Sequence, residues 1–176
     1  MNKLAVVAAV LLAFAAPGAQ AETFNVTLSG YQEVPMSLSS AGAAVFEAHI
    51  RDERTGPRIA WALSYNDGFA TPVQQAHIHF GQRHTNGGIS IFLCTNLSNG
   101  PAGTQPCPPG PATVSGEAAA ADVIGPAGQL IGPGEIEELV AAIRAGVAYV
   151  NIHTTQFPGG EVRGQFPAHG PGAHQH

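Results

Sequence analysis

From Thr23 onward, apolar and polar residues alternate with a period of two, which marks strands that turn one face inward. In TFNVTLSG (23–30), Phe24, Val26 and Leu28 share a side. AVFEAHIR (44–51) sets Phe46, Ala48 and Ile50 inward, with Glu47, His49 and Arg51 outward. RIAWALSY (58–65) aligns Ile59, Trp61, Leu63 and Tyr65 before an Asn66-Asp67-Gly68 turn. QAHIHF (75–80) aligns Ala76, Ile78 and Phe80. ISIFLC (89–94) and ATVSGEAA (112–119) read as two more strands, parted by the Pro/Gly-rich NGPAGTQPCPPGP (99–111). VAYVNIHT (147–154) places Ala148, Val150 and Ile152 on one side, and GEVRGQF (160–166) turns Val162 and Phe166 inward. Only GEIEELVAAIRAG (134–146) has a helical period, with Ile136, Leu139, Val140 and Ile143 at i, i+3, i+4, i+7. Glutamates load its first turn, Arg144 its last, and Gly146 can end it. Short strands with turn signals between them predict an all-β antiparallel sandwich or barrel carrying one short α-helix.

Composition sharpens this picture at both ends of the chain. Residues 1–21 read as a secretory signal peptide: one cation at Lys3, an apolar run from Leu4 to Ala16, and the ending Ala19-Gln20-Ala21. The run is too short to span a bilayer, so the expectation is a periplasmic or secreted protein with no membrane insertion after cleavage. The domain is then expected over 22–167, with a disordered His-containing tail at 168–176. Beyond Lys3 the chain has six arginines against twelve carboxylates, a net −6 with neutral histidines. An acidic chain without basic clusters argues against nucleic acid as a partner. Cys94 and Cys107 in an exported chain are expected to pair, closing a loop of roughly a dozen residues.

The chemistry concentrates in four polar residues. Side chains alternate along a strand, so His77 and His79 point to one side, opposite Ile78, with anchors about 6.6 Å apart. Imidazoles so placed can share an ion at about 2.0–2.1 Å from each nitrogen. His153, with Tyr149 and Asn151, stands opposite the apolar side of its own strand, as Arg163 does with Glu161 and Gln165. If the three strands are neighbours, these groups meet. The ordinary alternative is the solvated side of a half-buried sheet. A metal site here would use His77, His79 and His153, with Asn151 or Glu161 orienting a ligand ring. Copper suits neutral imidazoles, with zinc as the alternative, and affinity is expected to fall below about pH 6.5. The more ordinary role for Arg163 is pairing with a carboxylate such as Glu161. His84, in the turn-like GQRHTNGG, is a candidate fourth ligand. His49 reads as solvated. Tail residues His169, His174 and His176 read as solvated too, with loose metal recruitment as the alternative. FPGGE (157–161) reads as a turn in which Gly159 and Gly160 supply positive φ.

LSGYQEVP (28–35), AHIHFG (76–81), FLCTN (92–96), LVAAIRAGVAYVNIHT (139–154) and FPGGEVRGQ (157–165), in this order, resemble the CHRD domain from about Thr23 to Phe166. The chain differs at Tyr31, where a small residue is commoner, and at Met36, where a second proline often follows Pro35. The resemblance implies an immunoglobulin-like β-sandwich or barrel in an extracytoplasmic setting, and no reaction. HIHFG is also similar to the copper-ligand strand of copper–zinc superoxide dismutases, and VNIHT…GGEVRGQ to their later ligand histidine and anion-guiding arginine. That similarity implies His77, His79 and His153 as copper ligands and Arg163 as the anion guide. It lacks the bridging histidine and the zinc-ligand loop, and the disulfide falls elsewhere.

No G-x-S-x-G and no Ser/His/Asp or Cys/His triad is recognisable, which leans away from an enzyme. The leading expectation is therefore a non-catalytic binding or structural module in the cell envelope, with an extracellular protein or glycan as partner. The alternative is a periplasmic copper or zinc protein using the three histidines, with superoxide-related redox activity as its extension.

Overall fold

The computed structural model describes residues 21–169; the expected signal sequence and most of the tail, including His174 and His176, lie outside them. The described chain forms β1 (Glu22–Ser29), β2 (Ala43–Glu53), β3 (Gly56–Tyr65), β4 (Val73–Phe80), β5 (Gly88–Thr95), β6 (Ala112–Ala118), α1 (Ile136–Arg144), β7 (Ala148–Thr154) and β8 (Val162–Gln165). The strands make a single antiparallel sheet in the order β5-β4-β7-β8-β1-β2-β3-β6. The sheet curls into a nearly closed barrel whose edges, β5 and β6, face each other across a seam.

The interior is built from the residues that alternation marks. Phe24, Val26, Leu28, Phe46, Ala48, Ile50, Ile59, Leu63, Ile78, Val150, Ile152, Val162 and Phe166 are buried in one apolar cluster. Phe166 meets Phe24 and Phe46 edge-on, at ring-centroid distances of 5.9 and 5.8 Å, the arrangement aromatic quadrupoles favour. Helix α1 is shorter than its pattern, ending at Arg144 before Gly146, whose φ of +71° suits a helix terminator. Its buried Ile136, Leu139, Val140 and Ile143 pack it against β3 and β7. Arg144 ties its end to β1 and β2 through Glu22 (2.6 Å) and Asp52 (2.9 Å).

The seam is filled by the Pro/Gly-rich loop between β5 and β6. The Gln105 amide donates to Leu93 O at 3.2 Å and to Ser115 O at 3.1 Å, bridging both free edges. Its own carbonyl accepts from Thr95 N at 2.9 Å. The Cys94–Cys107 disulfide fixes this loop to β5. Gln105 thus supplies part of the pairing that a ninth strand would give, which protects two exposed edges.

Burial departs from simple alternation in one region. Every residue of β7 and β8 is buried, although the sequence pattern gives both strands a polar side. The reason is that three loops, 30–42, 81–87 and 155–161, lie over the outer face of β4, β7 and β8. The expected solvated side is absent there. His169 also departs from expectation: its ring packs on Phe24 at 4.2 Å and its amide donates to Arg144 O at 2.8 Å, so the start of the expected tail is docked. Tyr31 and Met36 are exposed and make no part of the core.

Replacing both Cys94 and Cys107 by Ala should lower stability by about 3 kcal/mol on the chain-entropy account. Urea denaturation of the variant against the oxidised protein measures this; an unchanged midpoint would mean that Gln105 alone holds the seam.

Candidate metal centre

Strand register settles whether the polar residues meet. β4 pairs with β7 and β7 with β8, placing His77 opposite Asn151, His79 opposite Tyr149, Gln75 opposite His153, and Arg163 opposite Asn151. Directly opposed residues of an antiparallel pair share a face, so all of these side chains stand on the outer side, away from the apolar interior. On the β5 side the register slips between Ala76 and His77 and again between Ile78 and His79. Such bulges re-aim side chains, and here they flank both histidines.

The three histidines converge. One ring nitrogen from each of His77, His79 and His153 lies within 4.8 Å of the other two. The rings are 0, 6 and 6 % exposed. His79 Nδ1 lies 3.0 Å from Gly87 O, and His153 Nδ1 lies 3.0 Å from Pro158 O. A carbonyl only accepts, so both rings carry their proton on Nδ1 and direct a lone pair from Nε2. Among the described residues neither Nε2 has a partner, and neither nitrogen of His77 has one. A trigonal ion at about 2.0–2.1 Å from each nitrogen needs them about 3.5 Å apart, inside the 4.8 Å that encloses them here. No carboxylate or thiolate joins the cluster among the described residues; His84 is exposed, with a φ of +66°, and stands apart from it.

Burial also fixes the charge state. Desolvation, with the neighbouring imidazoles, holds the His77 pKa down at about 2. Desolvation brings His79 and His153 to about 4, against the opposing pull of their carbonyl partners. All three rings are neutral at physiological pH, the form that ligates metal.

The remaining polar residues have positions their sequence did not announce. Arg163 is 2 % exposed. Its guanidinium donates to Thr85 O (2.8 Å), Gln82 O (2.9 Å) and Gln165 Oε1 (3.1 Å), which ties down the 81–87 loop. It makes no ion pair among the described residues, so the expected pairing with Glu161 is not formed. It sits 3.5 Å over the Tyr149 ring, and that ring stacks on His79 at 4.7 Å and 6°. Two groups this close cannot occupy one face, so Tyr149 separates the cation from the histidines. Glu161, fully buried, accepts from Ser40 Oγ, Ala70 N and Thr154 Oγ1 at 2.6, 2.9 and 2.6 Å. Asn151 donates to Glu33 Oε1 at 2.6 Å and to Val162 O at 2.8 Å. The ring-orienting role expected of Asn151 or Glu161 thus falls to the carbonyls of Gly87 and Pro158.

Glu33 is the polar residue that sequence reasoning passed over. It lies in the 30–42 loop, 6 % exposed, and desolvation raises its pKa to about 7. A Cβ on Gly160 would come within 2.7 Å of Asn151 and 2.9 Å of Glu33 Oε1. Gly160 has a φ of +129°; Gly159 does not share the positive φ expected for both.

Comparison with known proteins matches the CHRD domain over residues 24–166. No curated protein and no solved structure matches. No helix among the described residues is long and apolar enough to cross a membrane. The disulfide fits an extracellular protein. The match runs from within β1 through the last strand and takes in the histidines and the loops that cover them; the chain belongs to the CHRD domain family.

Proposed function

We propose that this CHRD domain is a non-catalytic metal-binding module of an exported protein, holding copper or zinc through His77, His79 and His153. The observation that carries this reading is the set of four unpartnered ring nitrogens on three buried, neutral histidines. The large majority of buried side-chain polar atoms have at least one hydrogen-bond partner. Here two rings are held through Nδ1 by backbone carbonyls, the arrangement that outer-shell partners give metal ligands, and a nitrogen of each lies within 4.8 Å of one on His77. His77 adds a third nitrogen from the same strand as His79.

Superoxide chemistry has less support. An anion guide needs an accessible cation, and Arg163 is buried behind Tyr149 with its donors given to carbonyls. A metal-free module that binds an envelope protein or glycan is the second reading, supported by the family and by the exposed loop residues Tyr31 and Met36.

Protein purified untagged from the periplasm should carry one equivalent of copper or zinc, and a His77→Gln, His153→Gln double variant should carry none. Elemental analysis decides this. Full retention by the double variant moves the ion to the tail histidines.

His77→Leu separates the two readings further. It removes two unpaired buried polar atoms and keeps the volume, so the metal-free protein should gain about 1–2 kcal/mol while losing metal. A loss of apo stability in thermal melts would count against the metal reading.

The pH dependence follows from depressed histidine pKa values. The unfolded chain takes up protons below about pH 6.5 that the folded rings refuse until about pH 4. Metal-free stability is therefore full above that unfolded value and falls as pH drops from 6.5 towards 4. Glu33, whose folded pKa is raised to about 7, works in the opposite direction, but three imidazoles outweigh one carboxyl. Proton competition for the metal should likewise begin near pH 4, below the 6.5 expected for free imidazoles. Equilibrium dialysis at pH 5 tests this, with metal retained as the expected result.

A further inference from the structure

We infer that this centre selects a monovalent, three-coordinate ion, Cu(I), over the dications Zn(II) and Cu(II). The inference rests on the metal-binding reading above and goes beyond it to the charge and coordination number of the ion.

Charge comes first. The ligand set is three neutral imidazoles, and no carboxylate or thiolate belongs to the cluster among the described residues. The nearby acids are committed elsewhere: Glu161 to Ser40, Ala70 and Thr154, and Glu33 to Asn151. Arg163, a cation that makes no ion pair among the described residues, lies one aromatic ring away from His79. Repulsion from that guanidinium doubles when the bound ion goes from one charge to two. The idealised cost of removing an ion from water rises with the square of its charge, so a dication of the same size costs about four times as much in a site whose rings are 0–6 % exposed. Nothing in the first layer neutralises the second charge.

Coordination number comes second. Zinc sites are almost always four-coordinate, and Cu(II) favours square-planar or tetragonal N,O sets. Three nitrogens therefore leave a dication to take its fourth ligand from water, as three-histidine zinc sites do, and rings at most 6 % exposed admit water poorly. Two of the three rings are backed by packed aromatic rings. His77 lies 4.3 Å from Phe92, and His79 lies flat on Tyr149. Cu(I) has a filled d shell and a single charge, and two or three neutral nitrogens satisfy it.

The test uses the full chain with His174 and His176 changed to Gln, so that binding by the last two tail histidines is removed. Cu(I), kept reduced with ascorbate under nitrogen, is titrated against a chromophoric Cu(I) chelator. Zn(II) is titrated in parallel against a chromophoric zinc chelator, and X-ray absorption gives the coordination of the copper form. The expected result is one Cu(I) per chain, held about a thousandfold tighter than Zn(II), with a shell of three nitrogens. Arg163→Gln should narrow that ratio about tenfold by relieving the dication more, and Arg163→Lys should restore it. Equal affinity for Zn(II), or a fourth oxygen or nitrogen around copper, would overturn the selectivity while leaving a metal site in place. Binding of neither ion would overturn the metal reading itself, and so would tight Cu(I) binding that survives His77→Gln.

Discussion

The register of β7 between β4 and β8 is the constraint on which the rest of the site depends. Side chains alternate with a period of two, so a slip of one residue in either pairing would exchange the two faces. It would drive His153, Asn151 and Tyr149 into the apolar interior and turn Val150 and Ile152 outward. The interior fixes the register, because Ile78, Val150, Ile152 and Val162 must reach the cluster that contains Phe24, Phe46 and Phe166. The convergence of the three histidines is thus a by-product of filling the barrel correctly. No separate device is required to bring residues 77, 79 and 153 together.

What does require a device is the cover over that outer face. Loops laid on a sheet bring buried backbone groups that need partners. The polar residues of β7 and β8 supply them: Arg163 and Gln165 bind carbonyls of the 81–87 loop, and Asn151 engages Glu33 of the 30–42 loop. Thr154 and Glu161 fix Ser40 and Ala70. Two further carbonyls, Gly87 O and Pro158 O, are met by the histidines themselves. The same loops that exclude water therefore also orient the rings.

The strands were legible in the sequence because alternation is a local property, and so was the set of residues on each face. Helix α1 was legible from its apolar spacing, with its end marked by Gly146. The disulfide followed from two cysteines in a chain read as exported. Adjacency of β4, β7 and β8 was not legible from pattern, since it depends on pairings across some seventy residues. It could only be assumed. The roles of Arg163 and Glu161 were misjudged because nearness in sequence suggested an ion pair, whereas successive strand positions of the same parity share a face without being required to touch. Glu33 was hidden for a different reason. A single acid in a loop has no periodicity, and only the fold brings it to Asn151 across 118 positions.

Burying these histidines has an energetic cost. Each buried polar atom without a partner costs about 1–3 kcal/mol, and four such nitrogens lie within one small cluster. Rings that are at most 6 % exposed have little recourse to solvent. Elsewhere on the same face, arginine, asparagine, glutamine and glutamate side chains all find partners, so the local backbone is well able to satisfy polar groups. Apart from Ser90 Oγ on β5, the unpaired buried side-chain atoms among the described residues all lie in this cluster, which concentrates the strain there. A ligand that takes up several lone pairs at once relieves that strain, and a single positive ion among neutral imidazoles does so without adding an anion to the buried face.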